Sequence, residues 1–200
     1  MSTQPHRKRI KHHHNPGDFH ELTISTYHRM PLLTNDLWRT ELSRCVDEAN
    51  QTYQFELAAF VYMPEHIHLL AFPLNSQPDI GRYLAAIKQP LSSFVHSCLE
   101  EARSPLLGKL VVRERPGKFC FRFWQEGPGI DRNLFTLRAI QGSIDYIHRN
   151  PVERRLCQRA IDYRWSSARY YLAEPAEQQF EGLPILQGVR AEVFDPNVSR

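Results

Sequence analysis

Residues 55–72 read Phe55-Glu56-Leu57-Ala58-Ala59-Phe60-Val61-Tyr62-Met63-Pro64-Glu65-His66-Ile67-His68-Leu69-Leu70-Ala71-Phe72. Two runs of strand-forming residues, 55–62 and 66–72, are separated only by Met63-Pro64-Glu65, a tight connection. Strands joined so closely pair as an antiparallel hairpin. Side chains alternate across a strand, so His66 and His68 share one face while Ile67, Leu69 and Ala71 share the other. The apolar set can pack against helices. That leaves both imidazoles on the opposite face, within reach of one divalent ion. A histidine pair at this spacing is a weak metal motif by itself, and two histidines on a half-exposed strand read more readily without a metal.

Working outward, Phe19 to Thr26 alternates Leu22 and Ile24 with Thr23 and Ser25, which predicts a first strand. Thr34-Asn35-Asp36 precedes a capped amphipathic helix running to about Asn50. The stretch Asp79 to Glu101 reads as a second helix, in which Pro90 either introduces a kink or begins a new helix. Residues 103–120 carry Pro105, Gly108, Pro116 and Gly117 and read as an extended surface excursion. Phe121 to Gln125 predicts the fourth strand, followed by a turn at Gly127-Pro128-Gly129. Asn133 then caps a helix through Leu137, Ile140, Ile144 and Ile147 that ends before Pro151. A shorter helix is predicted over Trp165 to Leu172. The order strand, helix, two strands, helix, strand is that of an α+β, ferredoxin-like βαββαβ domain, here with an added C-terminal helix bearing Tyr146. Three segments result: a basic N-terminal arm at 1–18, one domain at 19–172, and a loose C-terminal tail at 173–200.

The 200 residues suffice for one domain with a real core. With 42% hydrophobic and 24% charged residues, the composition is that of a soluble globular protein. The net charge of +3 is small, but its placement is uneven. Arg7, Lys8, Arg9 and Lys11 crowd the N-terminus, and Arg154, Arg155, Arg159, Arg164 and Arg169 follow Tyr146. Two basic clusters on a small domain are an electrostatic footprint for a polyanion, although a solvated surface has the same composition. Cys45, Cys98, Cys120 and Cys157 form no C-x-x-C pair, which argues against a zinc knuckle or redox motif and for reduced thiols in a cytoplasmic protein. No apolar run approaches membrane-spanning length, so no membrane partner is expected.

In the segment Tyr146-Ile147-His148-Arg149-Asn150-Pro151, Tyr146 and Asn150 lie four apart and so stack on one helix face. On their own they also read as a core aromatic with a wet hydroxyl and a helix-end amide. His148, two residues from Tyr146, faces elsewhere on a regular helix.

Four stretches taken in order carry a resemblance. They are Phe60 to Leu70 (FVYMPEHIHLL), Arg122 to Leu134 (RFWQEGPGIDRNL), Tyr146 to Arg155 (YIHRNPVERR) and Asp162 to Tyr170 (DYRWSSARY). The chain resembles the single-tyrosine HUH transposases, specifically the REP-associated tyrosine transposases of the IS200-like group. The resemblance implies that His66, His68 and Asn150 bind a divalent metal, magnesium or manganese, and that Tyr146 is the nucleophile. It further implies cleavage of single-stranded DNA beside a hairpin, with a 5′-phosphotyrosine intermediate and transfer to a new 3′-hydroxyl. Arg7, Arg9 and Lys11 of the arm, with Arg122, Arg132, Arg149, Arg154 and Arg155, are the implied DNA contacts. Phe123 and Trp124 could stack on bases, but as neighbours on a strand they read better as core. The resemblance implies action as a monomer or homodimer. The alternative is a domesticated hairpin-DNA-binding protein that keeps the fold without transposition activity.

Overall fold

The computed structural model describes residues 14–174 and 181–189. Its centre is a four-stranded antiparallel sheet made of β1 (Phe19–Ser25), β2 (Phe55–Tyr62), β3 (His66–Pro73) and β6 (Ile130–Leu134), in the order β2-β3-β1-β6. This is the split βαβ order of a ferredoxin-like domain, with β1 and β3 central. The hairpin read from residues 55–72 is present, with Tyr62 opposite Ile67 beside the turn. A register shift between Leu57 and Ala59 changes which side chains of β2 face which layer. Phe55 and Leu57 before it, and Phe60 and Tyr62 after it, all join one core.

That core lies between the sheet and two helices, α1 (Asp36–Tyr53) and α2 (Ile80–Glu101). Asn35 caps α1, its side-chain oxygen accepting from the backbone of Leu37 and Trp38. Pro90 neither breaks α2 nor begins a second helix. The buried stripe Tyr83, Leu84, Ile87, Leu91, Val95 and Leu99 holds the helix to the core past the hydrogen bond that proline cannot make.

The second sheet face is covered by α4 (Leu137–Glu153), seated through Ile140, Ile144 and Ile147 on Val61 and Leu70. Three expectations are corrected here. The fourth strand is β6, not Phe121 to Gln125, whose Phe123 and Trp124 are buried in the first core. Asn133 is part of β6, and the α4 cap is Thr136, whose hydroxyl accepts from Ala139 N. Nor does Pro151 end the helix. The last turn is closed instead by Arg155 N donating to Val152 O (2.9 Å) and Leu156 N to Pro151 O (2.8 Å), a Schellman end with Arg155 left-handed at φ 58°.

Residues 103–120 hold a short helix α3 (Leu106–Leu110) and a hairpin of β4 (Val111–Arg115) and β5 (Lys118–Phe121), a structured form of the expected excursion. The helix expected over Trp165 to Leu172 shrinks to α5 (Ala168–Leu172). The residues before it run along the outer edge of β2, with Tyr62 N donating to Trp165 O (2.8 Å) and Ser167 N to Phe60 O (3.0 Å). Residues 181–189 are not loose either. Gln187 N donates to Leu57 O (3.0 Å) and its side chain accepts from Leu57 N (2.8 Å), so the same strand edge is covered further along. Among the described residues, no helix is long and apolar enough to cross a membrane.

Gly129 brings β6 onto β1 at φ +85°, where an added Cβ would lie 2.2 Å from the Thr23 carbonyl oxygen. Because that obstacle is backbone, Gly129→Ala is expected to destabilise the fold by at least about 2 kcal/mol. Gly127→Ala also has positive φ but nothing within 4 Å, and should cost less. Denaturant unfolding of the two variants checks the order.

Candidate active site

The register of three strands builds the site. On the face toward α4, Thr23 of β1 pairs with His68 of β3 on one side and Ile130 of β6 on the other. One step along the sheet, Ser25 pairs with His66, and in the other direction Glu21 pairs with Arg132. α4 crosses this face and brings Ser143, Tyr146 and Asn150. Together these residues, Ser25 apart, line an open cavity of about 720 Å³ that also takes in Arg29 and Arg154.

The histidines converge. His66 Nε2 and His68 Nε2 are 3.1 Å apart, and their rings are nearly perpendicular. Each remote nitrogen is anchored: His66 Nδ1 lies 3.2 Å from Glu65 Oε1, and His68 Nδ1 lies 2.9 Å from Thr23 Oγ1. A carboxylate can only accept, so His66 carries its proton on Nδ1 and presents a bare lone pair at Nε2. Burial depresses both imidazoles, and His68, also facing His66, Arg29 and Arg132, falls to about 3. Two buried neutral imidazoles whose inner nitrogens meet, with outer nitrogens fixed by hydrogen bonds, have the form of a divalent-metal half-site.

Among the described residues, no group of three or more His, Cys, Asp or Glu could hold a metal. Asn150, a donor of another kind, lines the same cavity. Its Nδ2 donates to the Tyr146 carbonyl (2.9 Å), so its amide oxygen is the atom left for a cation. Two imidazole nitrogens and an amide oxygen fit manganese at least as well as magnesium, which prefers oxygen.

Tyr146 does not behave as a core aromatic. It is 45% exposed, and its ring stands edge-on to His68 with centroids 5.3 Å apart. Tyrosine and histidine pair thus meet within one chain. His148, on the same helix, points away: its Nε2 lies 2.8 Å from Ser167 Oγ and its ring packs on Tyr171. Burial lowers it to about 4.

Two buried carboxylates, neither given a role from the sequence, stand at or beside the cavity. Glu21 accepts from Ser143 Oγ (2.7 Å) and from Arg132. Glu65, besides His66, meets Arg154 at 2.9 Å and Arg29 at 3.3 Å. Burial alone would raise the Glu65 carboxyl, but His66, Arg154 and Arg29 outweigh it and hold it below the usual range. Of the arginines singled out in the sequence, Arg132 and Arg154 line the cavity. Arg122 lies elsewhere, between Glu114 and Glu126. Arg149 pairs with Glu153 on the exposed side of α4, and Arg155 is exposed beyond its end. Arg7, Arg9 and Lys11 lie outside the described residues.

Residues 19–111 match the family described as Transposase IS200 like. The match contains His66 and His68 but stops before Tyr146 and Asn150. No curated protein matches the chain. Among solved structures, one described as a REP-associated tyrosine transposase bound to a REP hairpin aligns at 16% identity over 92% of this chain and 98% of that one, with a TM-score of 0.61. That likeness is one of fold. A candidate transposase from Deinococcus radiodurans R1 aligns at 16% identity over 74% of this chain and 97% of that one, with a TM-score of 0.41, too low to bear on the site.

His68 and His148 are neutral when folded and titrate near 6.5 when unfolded. The unfolded chain therefore binds more protons between those values, and the stability present above pH 6.5 is lost as pH falls toward 4. Each histidine is expected to withdraw up to about 1.4 kcal/mol per pH unit in that window. Denaturant midpoints between pH 7 and 5 test this, and His148→Gln should flatten the dependence.

Proposed function

We propose, from the match of residues 19–111 to the IS200-like transposase family, that this chain cuts single-stranded DNA and transfers the broken end through its own tyrosine. The observation that carries the proposal is the meeting of Tyr146 with the converging imidazoles of His66 and His68 in one open cavity. The proposed substrate is single-stranded DNA beside a hairpin, a reading supported by a structure of similar fold described as bound to a REP hairpin.

His66, His68 and Asn150 would hold a divalent cation, manganese or magnesium. When bound, the ion would supply charge neutralisation at the phosphoryl oxygens as the transition state forms. The chain's own residues do the rest. Glu65 and Thr23 fix the two imidazoles, so the ligand nitrogens need no reorganisation. Tyr146 Oη attacks phosphorus in line, the bond to O3′ breaks, and a 5′-phosphotyrosine forms. Net, the phenol proton ends on the departing 3′-hydroxyl. A second 3′-hydroxyl then attacks the phosphotyrosine and restores the phenol. Since the ester conserves the energy of the original linkage, no nucleotide cofactor is required. The exposure of the phenol lets a strand reach it, and the arginines on the cavity rim hold phosphates without reading sequence.

Tyr146→Phe is expected to abolish the covalent protein–DNA adduct on denaturing gels, with manganese and a hairpin-bearing single strand, while affinity for that DNA survives. Asn150→Ala should weaken manganese binding about 10–100-fold. An adduct formed at the parental rate by Tyr146→Phe would remove the nucleophile. Binding without any adduct by the parent chain would favour the domesticated DNA-binding alternative.

A further inference from the structure

The charge around the cavity is unevenly balanced. On one side Arg132 meets Glu21, one cation for one anion. On the other, a single oxygen of Glu65 meets two guanidiniums, Arg29 at 3.3 Å and Arg154 at 2.9 Å, together with His66 Nδ1. Since His66 is neutral, this cluster keeps one surplus positive charge. Glu65 is buried, whereas the arginine side chains are 56% and 54% exposed, and both line the cavity. A guanidinium carries five N–H donors, so contact with one carboxylate oxygen uses a small part of each fork. Surplus charge with unspent donors on a cavity wall is what an anionic phosphate needs.

The backbone beneath Arg29 gives a second reason. His28 and Arg29 are both left-handed, at φ 51° and 52°, in a turn where glycine would be the unstrained choice. The turn is tied to the residue that Arg29 binds: Thr26 N and Thr26 Oγ1 each donate to the Glu65 carbonyl at 3.0 Å. Strain kept beside a reaction centre points to a side chain retained for work there.

Building on the strand-transfer reading, we propose that Arg29 and Arg154 form a clamp for one DNA phosphate, the one next to the phosphate that Tyr146 attacks. Glu65 is the positioning residue that holds the clamp against His66. The three parts come from separate elements, the turn after β1, the β2–β3 turn and the end of α4. The clamp thus sets the strand's path relative to both tyrosine and histidines.

The test uses the Tyr146→Phe chain, titrated with a single-stranded oligonucleotide at several salt concentrations, the cut linkage having been mapped with the parent. Arg29→Gly should raise the thermal midpoint, because the strained turn relaxes, yet weaken binding about tenfold and reduce the salt slope. Arg154→Ala should weaken binding to a similar extent, and the double variant by less than the product, because both side chains share one phosphate. A methylphosphonate at the linkage next to the cut should reproduce the loss in the Tyr146→Phe chain and add none in the double variant. Parental affinity and salt slope in both single variants would overturn the clamp and leave strand transfer standing. A lowered midpoint in Arg29→Gly, with a methylphosphonate effect that persists in the double variant, would make the arginines structural and also overturn it. Failure of the Tyr146→Phe chain itself to bind would remove the strand-transfer reading, and the clamp with it.

Discussion

Two imidazole nitrogens held 3.1 Å apart by hydrogen bonds on their far sides set the terms for everything around them. Nitrogens brought this close in a buried site can share a proton or, in its place, a cation. The fold maintains the arrangement from behind, with Thr23 on one ring and Glu65 on the other. Neither anchor is on β3 itself. Thr23 depends on the β1–β3 register and Glu65 on the hairpin turn, so the pair is only as well placed as the sheet is. Gly129 belongs to the same support, since it lets β6 approach the backbone of Thr23.

Burial of acidic groups is the second organising feature. Glu21 and Glu65 each sit inside the protein with guanidiniums at the surface, and each ties α4 to the sheet. Glu21 does so through Ser143, one turn before the tyrosine, and Glu65 through Arg154, just past the helix end. Removing every guanidinium from such a carboxylate would cost more than the pairing contributes, because a buried charge is then left uncompensated. The tyrosine helix is thus held by Glu21 at Ser143, by Glu65 at Arg154 just past its C-terminal end, and along its buried face by Ile140, Ile144 and Ile147. That seating explains how an exposed phenol can keep a defined position beside His68.

Both β2 and β6 are edge strands, and the chain treats them differently. The β2 edge is covered by residues 165–167 and by Gln187. β6 carries Asp131, Arg132 and Asn133, charged and polar residues that discourage a further strand from pairing there. The polar character of β6 is also why it escaped the pattern of hydrophobic alternation, while in the aromatic run 121–124 Phe121 ends β5 and Phe123 and Trp124 fill the core between sheet and helices.

Local chemistry was readable along the chain. The hairpin, the shared face of His66 and His68, the Asn35 cap and the stacking of Tyr146 over Asn150 follow from periods of two and 3.6 residues and from capping, which depend only on near neighbours. The ferredoxin-like order followed from the sequence of elements, although the fourth strand lies at Ile130–Leu134 and not at Phe121 to Gln125. What near neighbours could not supply was partnership across the sheet. Thr23 behind His68, Glu21 under Arg132, Arg29 and Arg154 on one carboxylate, and Pro151 carried inside a helix with a Schellman end are all decided by register and packing between segments far apart in the chain. A side chain's own type fixes what it can bond to; only the folded arrangement fixes which partner is within three ångströms.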